Sequence, residues 1–328
     1  MFEPTDRAVT IFDVARLAGV SKSTASRVLT GANRVSAAAV EQVNRAAADL
    51  AYVRNPAAMS LANHSGTRVV IGVVSPQRTL VVDDYLGRVV SSAAKVCAVE
   101  RIGVGLQPLW LHDRDPLGAL ATDPTVHGVI LVNTTHALLE AVSGRLVGRV
   151  ASIGVGSDAV PSVDVDCASA AAASTRHLIE SGRRRIAMVT GPKWLPCIGN
   201  SVRAYVQTMR DAGLEPRTVV GDFTADSGQL GAVEVLRRWP DADAVIAICD
   251  ATAIGVMAEL RARHIDVPGD IAVAGFDDVP FAQYTQLTTS THPVEAIAEA
   301  ATRAVLDAGP SRAPDVTFPS ELVLRETA

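Results

Sequence analysis

Residues 9–31, VTIFDVARLAGVSKSTASRVLTG, constrain this chain more than any other stretch, because they encode two short helices separated by a tight turn. Thr10 and Asp13 have the spacing of a capping box, in which side-chain oxygens satisfy the orphan amides of a helix start. Phe12, Val14, Ala15 and Ala18 supply an apolar stripe at helical spacing, and Gly19 suits the left-handed conformation that ends a helix. Ser21 is placed to cap the next helix, where Ala25, Val28 and Leu29 form an inner face and Lys22, Ser23, Ser26 and Arg27 an outer one. Two helices at a sharp angle, the second with small polar and basic residues outward, form a helix-turn-helix suited to a DNA major groove.

A helical hairpin inside any core could share that spacing, so the continuation carries weight. VSAAAVEQVNRAAADLAY (35–52) predicts a third helix, with Ser36 as its cap and Val40, Val43, Ala47 and Leu50 on its apolar side. The resulting unit of three helices resembles the N-terminal domain of the lactose-repressor/galactose-repressor (LacI) family of bacterial transcription regulators. The resemblance implies that Lys22, Ser23 and Arg27 face base edges, while Thr24, Ser26 and Asn33 contact phosphates or support the helix. Thr10 and Asn55 join the DNA-contacting set. It also implies a hinge helix within YVRNPAAMSLANHSGTR (52–68), from which Leu61 would wedge into the minor groove and kink the duplex.

Charge is distributed accordingly. Residues 1–68 hold eight Lys/Arg and five Asp/Glu, a net +3, which leaves −8 for the remainder of a chain whose total is −5. A basic phosphate reader attached to an acidic body fits that asymmetry. Cys97, Cys167, Cys197 and Cys249 lie far apart with no CxxC pair, as expected of reduced core residues in a cytoplasmic protein. The N-terminus reads as no secretory signal and no apolar run is long enough for a membrane span, so a cytoplasmic location is expected.

From Val69 onward, apolar runs (VVIGVV, IGVGL, GVILVN, RVASIGV, RRIAMVTG, AVIAIC, DIAVAGF) alternate with Ala-rich helical stretches. Short Val/Ile-rich runs are what parallel strands buried on both faces require, and the alternation predicts βαβ units. The length of this region predicts two similar lobes with a ligand cleft between them, at the carboxyl ends of the strands. HLIESGRRRIAMVTGP, DVPGDIAVAGFDDVPFA, LTTSTHP and FPSELVLRETA extend the family resemblance over most of the chain.

The fold class read here is therefore α/β. It comprises an all-α helix-turn-helix domain (1–53), a hinge helix and linker (54–68), and a two-lobed periplasmic-binding-protein-like core with parallel sheets (69–328). The resemblance implies an effector site containing Tyr85, Ser201, Phe223, Cys249, Asp250 and Asp277. Phe223 would stack on a ring and Asp277 would accept hydrogen bonds. Ser201 and Cys249 stand where the family commonly presents arginine and asparagine, so an effector unlike a typical hexose or sugar phosphate is expected. Asp250 has an alternative role as a helix cap.

An enzyme fits poorly. G-x-G-x-x-A occurs at 154–159, but Pro161 and the β-like SVDVD follow where a phosphate-binding helix should begin. There is no GxSxG, P-loop or HExxH, and His64, His112, His127, His136, His177, His264 and His292 show no ligand spacing. No cofactor and no metal are expected. A small-molecule binding protein of the same two-lobe fold is the alternative reading of residues 69–328, and the helix-turn-helix argues against it. The expectation is a homodimeric regulator, acting as a repressor on a near-palindromic double-stranded operator under control of a small-molecule effector such as a sugar.

Overall fold

The computed structural model describes residues 9–30, 35–53, 66–76, 83–142, 146–307 and 312–328. Asn33, Asn55 and Leu61 lie outside the described residues. The chain divides into two compact units, Met1–Ser65 and Gly66–Ala328.

The first unit holds α1 (Ile11–Leu17), α2 (Lys22–Thr30) and α3 (Ala37–Asp49). The Asp13 carboxylate accepts from the Thr10 amide at 2.9 Å and from its hydroxyl at 2.6 Å, fixing the start of α1. The helix ends at Gly19, with φ of +63°. There the Gly19 amide donates to Arg16 and the Val20 amide to Ala15, a Schellman closure that turns the chain into α2. Ser21 caps α2 by accepting from the Thr24 amide, and Ser36 caps α3 by accepting from Ala39.

Val14, Ala15, Ala18, Ala25, Val43 and Ala46 form the core of this unit. Small side chains let three short helices approach closely. Two residues expected on the inner stripes lie outside it: Phe12 is 56% exposed and Val40 is 37% exposed. On α3 the inward position goes to Ala46. Phe12 instead lies under the start of α2.

The second unit begins with β1 (Arg68–Ser75), α4 (Asp84–Val99), β2 (Gly103–Trp110), α5 (Gly118–Thr122), β3 (Val126–Val132), α6 (His136–Glu140), β4 (Val150–Ile153) and β5 (Ser162–Val165). It continues with α7 (Cys167–Glu180), β6 (Ile186–Thr190), α8 (Ile198–Asp211), β7 (Arg217–Val220), α9 (Ala225–Arg238), β8 (Ala244–Ala247), α10 (Asp250–Ala262) and β9 (Ala272–Ala274). The last elements are α11 (Pro280–Tyr284), β10 (Thr289–Ser290), α12 (Val294–Leu306), β11 (Val316–Phe318) and β12 (Leu322–Val323).

Two parallel sheets result, ordered β11-β5-β4-β3-β1-β2 in one lobe and β7-β6-β8-β9 in the other. An antiparallel pair, β10 with β12, supplements them. In each parallel sheet the order reverses beside the lobe's first strand, so each has a topological switch point.

Period-two alternation sorts the cores. Val69, Ile71 and Val73 of β1 face α4 and α12, whereas Val70 and Val74 face Leu117, Leu120 and Leu138 on the other side. In the second lobe Ala187 and Val189 pack toward α9 and α10, and Ile186 and Met188 toward Leu178, Tyr205 and Met209. The buried Tyr205 hydroxyl donates to the Ile186 carbonyl at 2.8 Å and accepts from the Arg217 amide at 2.8 Å. One strand departs from the expectation of two buried faces. β2 has a single neighbour at the sheet edge, and its Leu106 is 38% exposed.

The chain crosses between lobes after β5, after β10 and after β11. The second crossing therefore returns β11 to the first sheet, and α12 packs against α4 in the first lobe. The G-x-G-x-x-A segment runs through a loop into β5, with no helix after it.

Candidate functional site

In the first unit, Lys22, Ser23 and Arg27 are exposed on α2, and Thr24 and Ser26 are half-buried. The Ser21 hydroxyl lies 3.0 Å from that of Ser23 and 2.8 Å from that of Thr24, so the first turn of α2 carries a linked set of hydroxyls. The Lys22 ammonium sits 4.4 Å from the centroid of the Phe12 ring. Thr10 is the N-cap residue of α1, and both its amide and its hydroxyl donate to the Asp13 carboxylate.

In the second unit a cavity of about 320 Å³ opens between the lobes. Val73, Val132, Asn133 and Ile153 line it from the carboxyl ends of β1, β3 and β4, and Ile248, Cys249, Phe276 and Asp277 from those of β8 and β9. Both switch points thus face one space, as open α/β sheets require of a ligand site. Of the residues singled out from sequence, Tyr85, Ser201, Phe223, Cys249 and Asp277 all line it.

Asp250 does not. It is fully buried, with Oδ1 accepting from the Thr289 hydroxyl at 2.6 Å and Oδ2 from the Val279 amide at 2.9 Å. The chain turns into α10 at this point, so Cys249 faces the cavity while the next side chain points back into the lobe. Burial pushes the Asp250 carboxyl up to about 7, against the opposing pull of the Thr289 hydrogen bond. The carboxylate holds the β9–α11 loop.

The polar end of the cavity centres on His292, which follows β10 at a crossover. Its ring lies between those of Tyr85 and Phe276, each centroid 5.3 Å away, and its Nδ1 is 2.9 Å from Oδ1 of Asp277. Nε2 of His292 is buried without a protein partner. Burial raises the Asp277 carboxyl, with the His292 hydrogen bond opposing, and Asp277 itself holds φ of +118°. Burial also raises the Asp164 carboxyl, which lines the cavity from β5. Desolvation and the neighbouring Asp164 and Asp277 charges lift the Tyr85 phenol well above its ordinary value.

Three of the four cysteines line the same cavity: Cys167, Cys197 and Cys249. All four are free thiols; Cys97 sits in the first lobe's core away from the cavity, and Cys249 belongs to the second lobe's core while also lining the cavity. Burial holds Cys197 and Cys249 up to about 12, so both are neutral thiols. The Cys249 sulfur lies 3.2 Å from the Thr252 hydroxyl. Ser201 donates to the Cys167 carbonyl at 3.4 Å.

His292, Asp164 and Phe276 escaped the sequence reading. Phe276 ends a strand-like run and Asp164 lies next to last in β5, near where an open sheet places ligand contacts, and that position was the available signal. Among the described residues, no cluster of His, Cys, Asp or Glu could hold a metal ion, and no helix is long and apolar enough to cross a membrane.

Residues 10–55 match the model of the bacterial regulatory proteins of the lacI family, and residues 175–328 match a periplasmic binding protein-like domain. The regulator CelR of Thermobifida fusca is 32% identical over 320 residues, which cover 92% of each chain. The regulator reg1 of Streptomyces lividans is 30% identical, covering 95% of this chain and 94% of its own. Among solved structures, a CelR–cellobiose complex superposes with a TM-score of 0.71 at 29% identity, covering 98% of this chain and 100% of that one. A lac repressor dimer bound to operator and the anti-inducer ONPF shares the fold at a TM-score of 0.82 and 24% identity, with 98% and 99% coverage. The chain belongs to the LacI family of bacterial regulatory proteins and is a DNA-binding transcription regulator, not an enzyme.

Proposed function

We propose that this regulator is a cytoplasmic homodimeric repressor whose hold on a near-palindromic operator is set by a small molecule between the lobes. Residues 1–53 would form the reader, 54–68 the hinge and linker, and 69–328 the sensor and dimerisation body. Lys22, Ser23 and Arg27 would face base edges, with Thr24, Ser26, Asn33 and Asn55 against phosphates and Leu61 in the minor groove. Thr10 contributes by fixing α1. Tyr85, Phe223, Asp277 and His292 would hold the effector, with Ser201 and Cys249 as short walls and Asp250 as a support behind them.

The observation that carries this reading is the convergence of both sheets' carboxyl ends on one cavity beside the crossovers. A ligand touching both lobes there couples its binding to their mutual angle. The energy available for switching is its differential affinity for the two arrangements. The described lining offers carboxylates, a phenol, thiols and aromatic faces, a chemistry that favours a donor-rich ligand without phosphate. A likeness to a cellobiose-bound relative keeps carbohydrates within the candidate class. Sequencing the DNA that the full chain retains, then following binding to it by anisotropy across a metabolite panel, tests the whole reading. A full chain that retains no preferred sequence overturns it. Tight calorimetric binding of an ordinary hexose or its phosphate would overturn the effector class alone.

A further inference from the structure

We infer that Phe12 is a specificity-determining residue that acts through Lys22. The proposal rests on the reading of α2 as the recognition helix and deepens it. Lys22 is the first residue of α2, whose first turn holds no acidic side chain. A cation at that position opposes the positive end of the helix dipole, so nothing on its own helix holds the ammonium close. Phe12 supplies the missing hold from α1. Its ring is 56% exposed, an unusual place for a phenylalanine in a unit this small, and the Lys22 ammonium lies 4.4 Å from its centroid. That distance and the ring's negative face define a cation–π contact.

The consequence is a restricted side chain. A free lysine on a surface samples many rotamers and reads as a diffuse positive charge. Held over Phe12, the ammonium approaches a groove from one direction and favours acceptors at one place along the base-pair edge. The adjoining hydroxyls of Ser21, Ser23 and Thr24 are already linked to one another. The head of α2 is thereby ordered on both sides of the Lys22 backbone, by the cap network and by the ring. Phe12 is a positioning residue, and the base contact belongs to Lys22.

Selection from randomised half-sites tests this with the full chain and its Phe12→Ala, Phe12→Tyr, Lys22→Ala and doubly substituted Phe12→Ala/Lys22→Ala variants. Phe12→Ala is expected to weaken discrimination two- to fivefold at the same base-pair positions that Lys22→Ala affects. Phe12→Tyr should restore it, and the double variant should match Lys22→Ala alone. Because the ring is exposed, thermal unfolding of Phe12→Ala should stay within a few degrees of the parent. Independent, additive effects at different base pairs would overturn the proposal, as would an unchanged motif in Phe12→Ala. If Lys22→Ala itself leaves the motif unchanged, the reading of α2 beneath the proposal fails instead.

Discussion

His292 and Asp277 meet at 2.9 Å where the chain crosses between lobes, and the histidine ring is held between Tyr85 of the first lobe and Phe276 of the second. One side chain therefore touches both lobes and the cavity. Replacing His292 with Ala removes the partner of the half-buried Asp277 carboxylate as well as two ring contacts. Equilibrium urea unfolding should show a loss of about 1–3 kcal/mol, the order of one hydrogen bond to a carboxylate together with its ring contacts. Effector-induced release of operator DNA, followed by anisotropy, should weaken in the same variant. Stability and effector response both equal to the parent would contradict this role.

Asp250 gives the body a defined pH response. Its carboxyl titrates near 7 in the folded state, raised by burial, against an ordinary value near 4 when unfolded. Below pH 4 both states hold the proton and the group contributes nothing. Between 4 and 7 only the folded state holds it, so stability falls as pH rises, by at most about 1.4 kcal/mol per pH unit. Above 7 the penalty is constant. Asp250→Asn can accept from the Val279 amide and donate to Thr289, and should flatten unfolding midpoints measured from pH 4.5 to 7.5. An unaltered slope would count against the assignment.

Helices α9 and α10 touch through glycine. A Cβ on Gly255 would lie 1.9 Å from the Ala225 carbonyl oxygen, so the helices must separate to admit one. Gly255→Ala should lose about 1–3 kcal/mol by overpacking. Gly87 on α4 has open space around it, and Gly87→Ala should instead gain up to about 1 kcal/mol from helix propensity. Thermal melts of the two variants should move in opposite directions.

Operator contacts separate by kind. Arg27→Ala should lose most operator affinity, since a bidentate arginine–guanine pair discriminates by about 1–3 kcal/mol and also supplies charge. Lys22→Ala should chiefly alter preference among operator variants. Affinity of the parent should fall steeply with salt, and less steeply for Arg27→Ala, in titrations at several ionic strengths. Identical motifs and salt slopes for all three proteins would exclude both contacts.

The helix-turn-helix was legible because its determinants are local. Thr10 with Asp13, Gly19, and Ser21 with Thr24 each act within three or four residues of one another. The cavity was legible only in part, through resemblance. Ser201, Phe223, Cys249 and Asp277 converge there from elements far apart in sequence, a closeness that periodicity cannot reveal. Asp250 sits at the strand edge where ligand contacts belong, yet its side chain bonds Thr289 and Val279 inside the lobe, because adjacent residues at a strand-to-helix turn face opposite ways. His292 gave no signal alone, since its role depends on Tyr85 and Phe276 arriving on either side. β2 looked buried because an edge strand can carry the same apolar run as a central one.

The discontinuity of the two lobes bears on how the protein is made. The reader's core is complete within its first fifty-odd residues, and domains emerging from a ribosome fold as units, N-terminal first. The first lobe must wait for α12 and β11, and the second for the Thr327 hydroxyl that bonds the Val273 carbonyl near the chain's end. A polypeptide interrupted before Val294 would carry a folded reader joined to a sensor with neither lobe closed. Residues 294–328 thus serve both halves of the sensor at once, and neither sheet is finished by the strands that begin it.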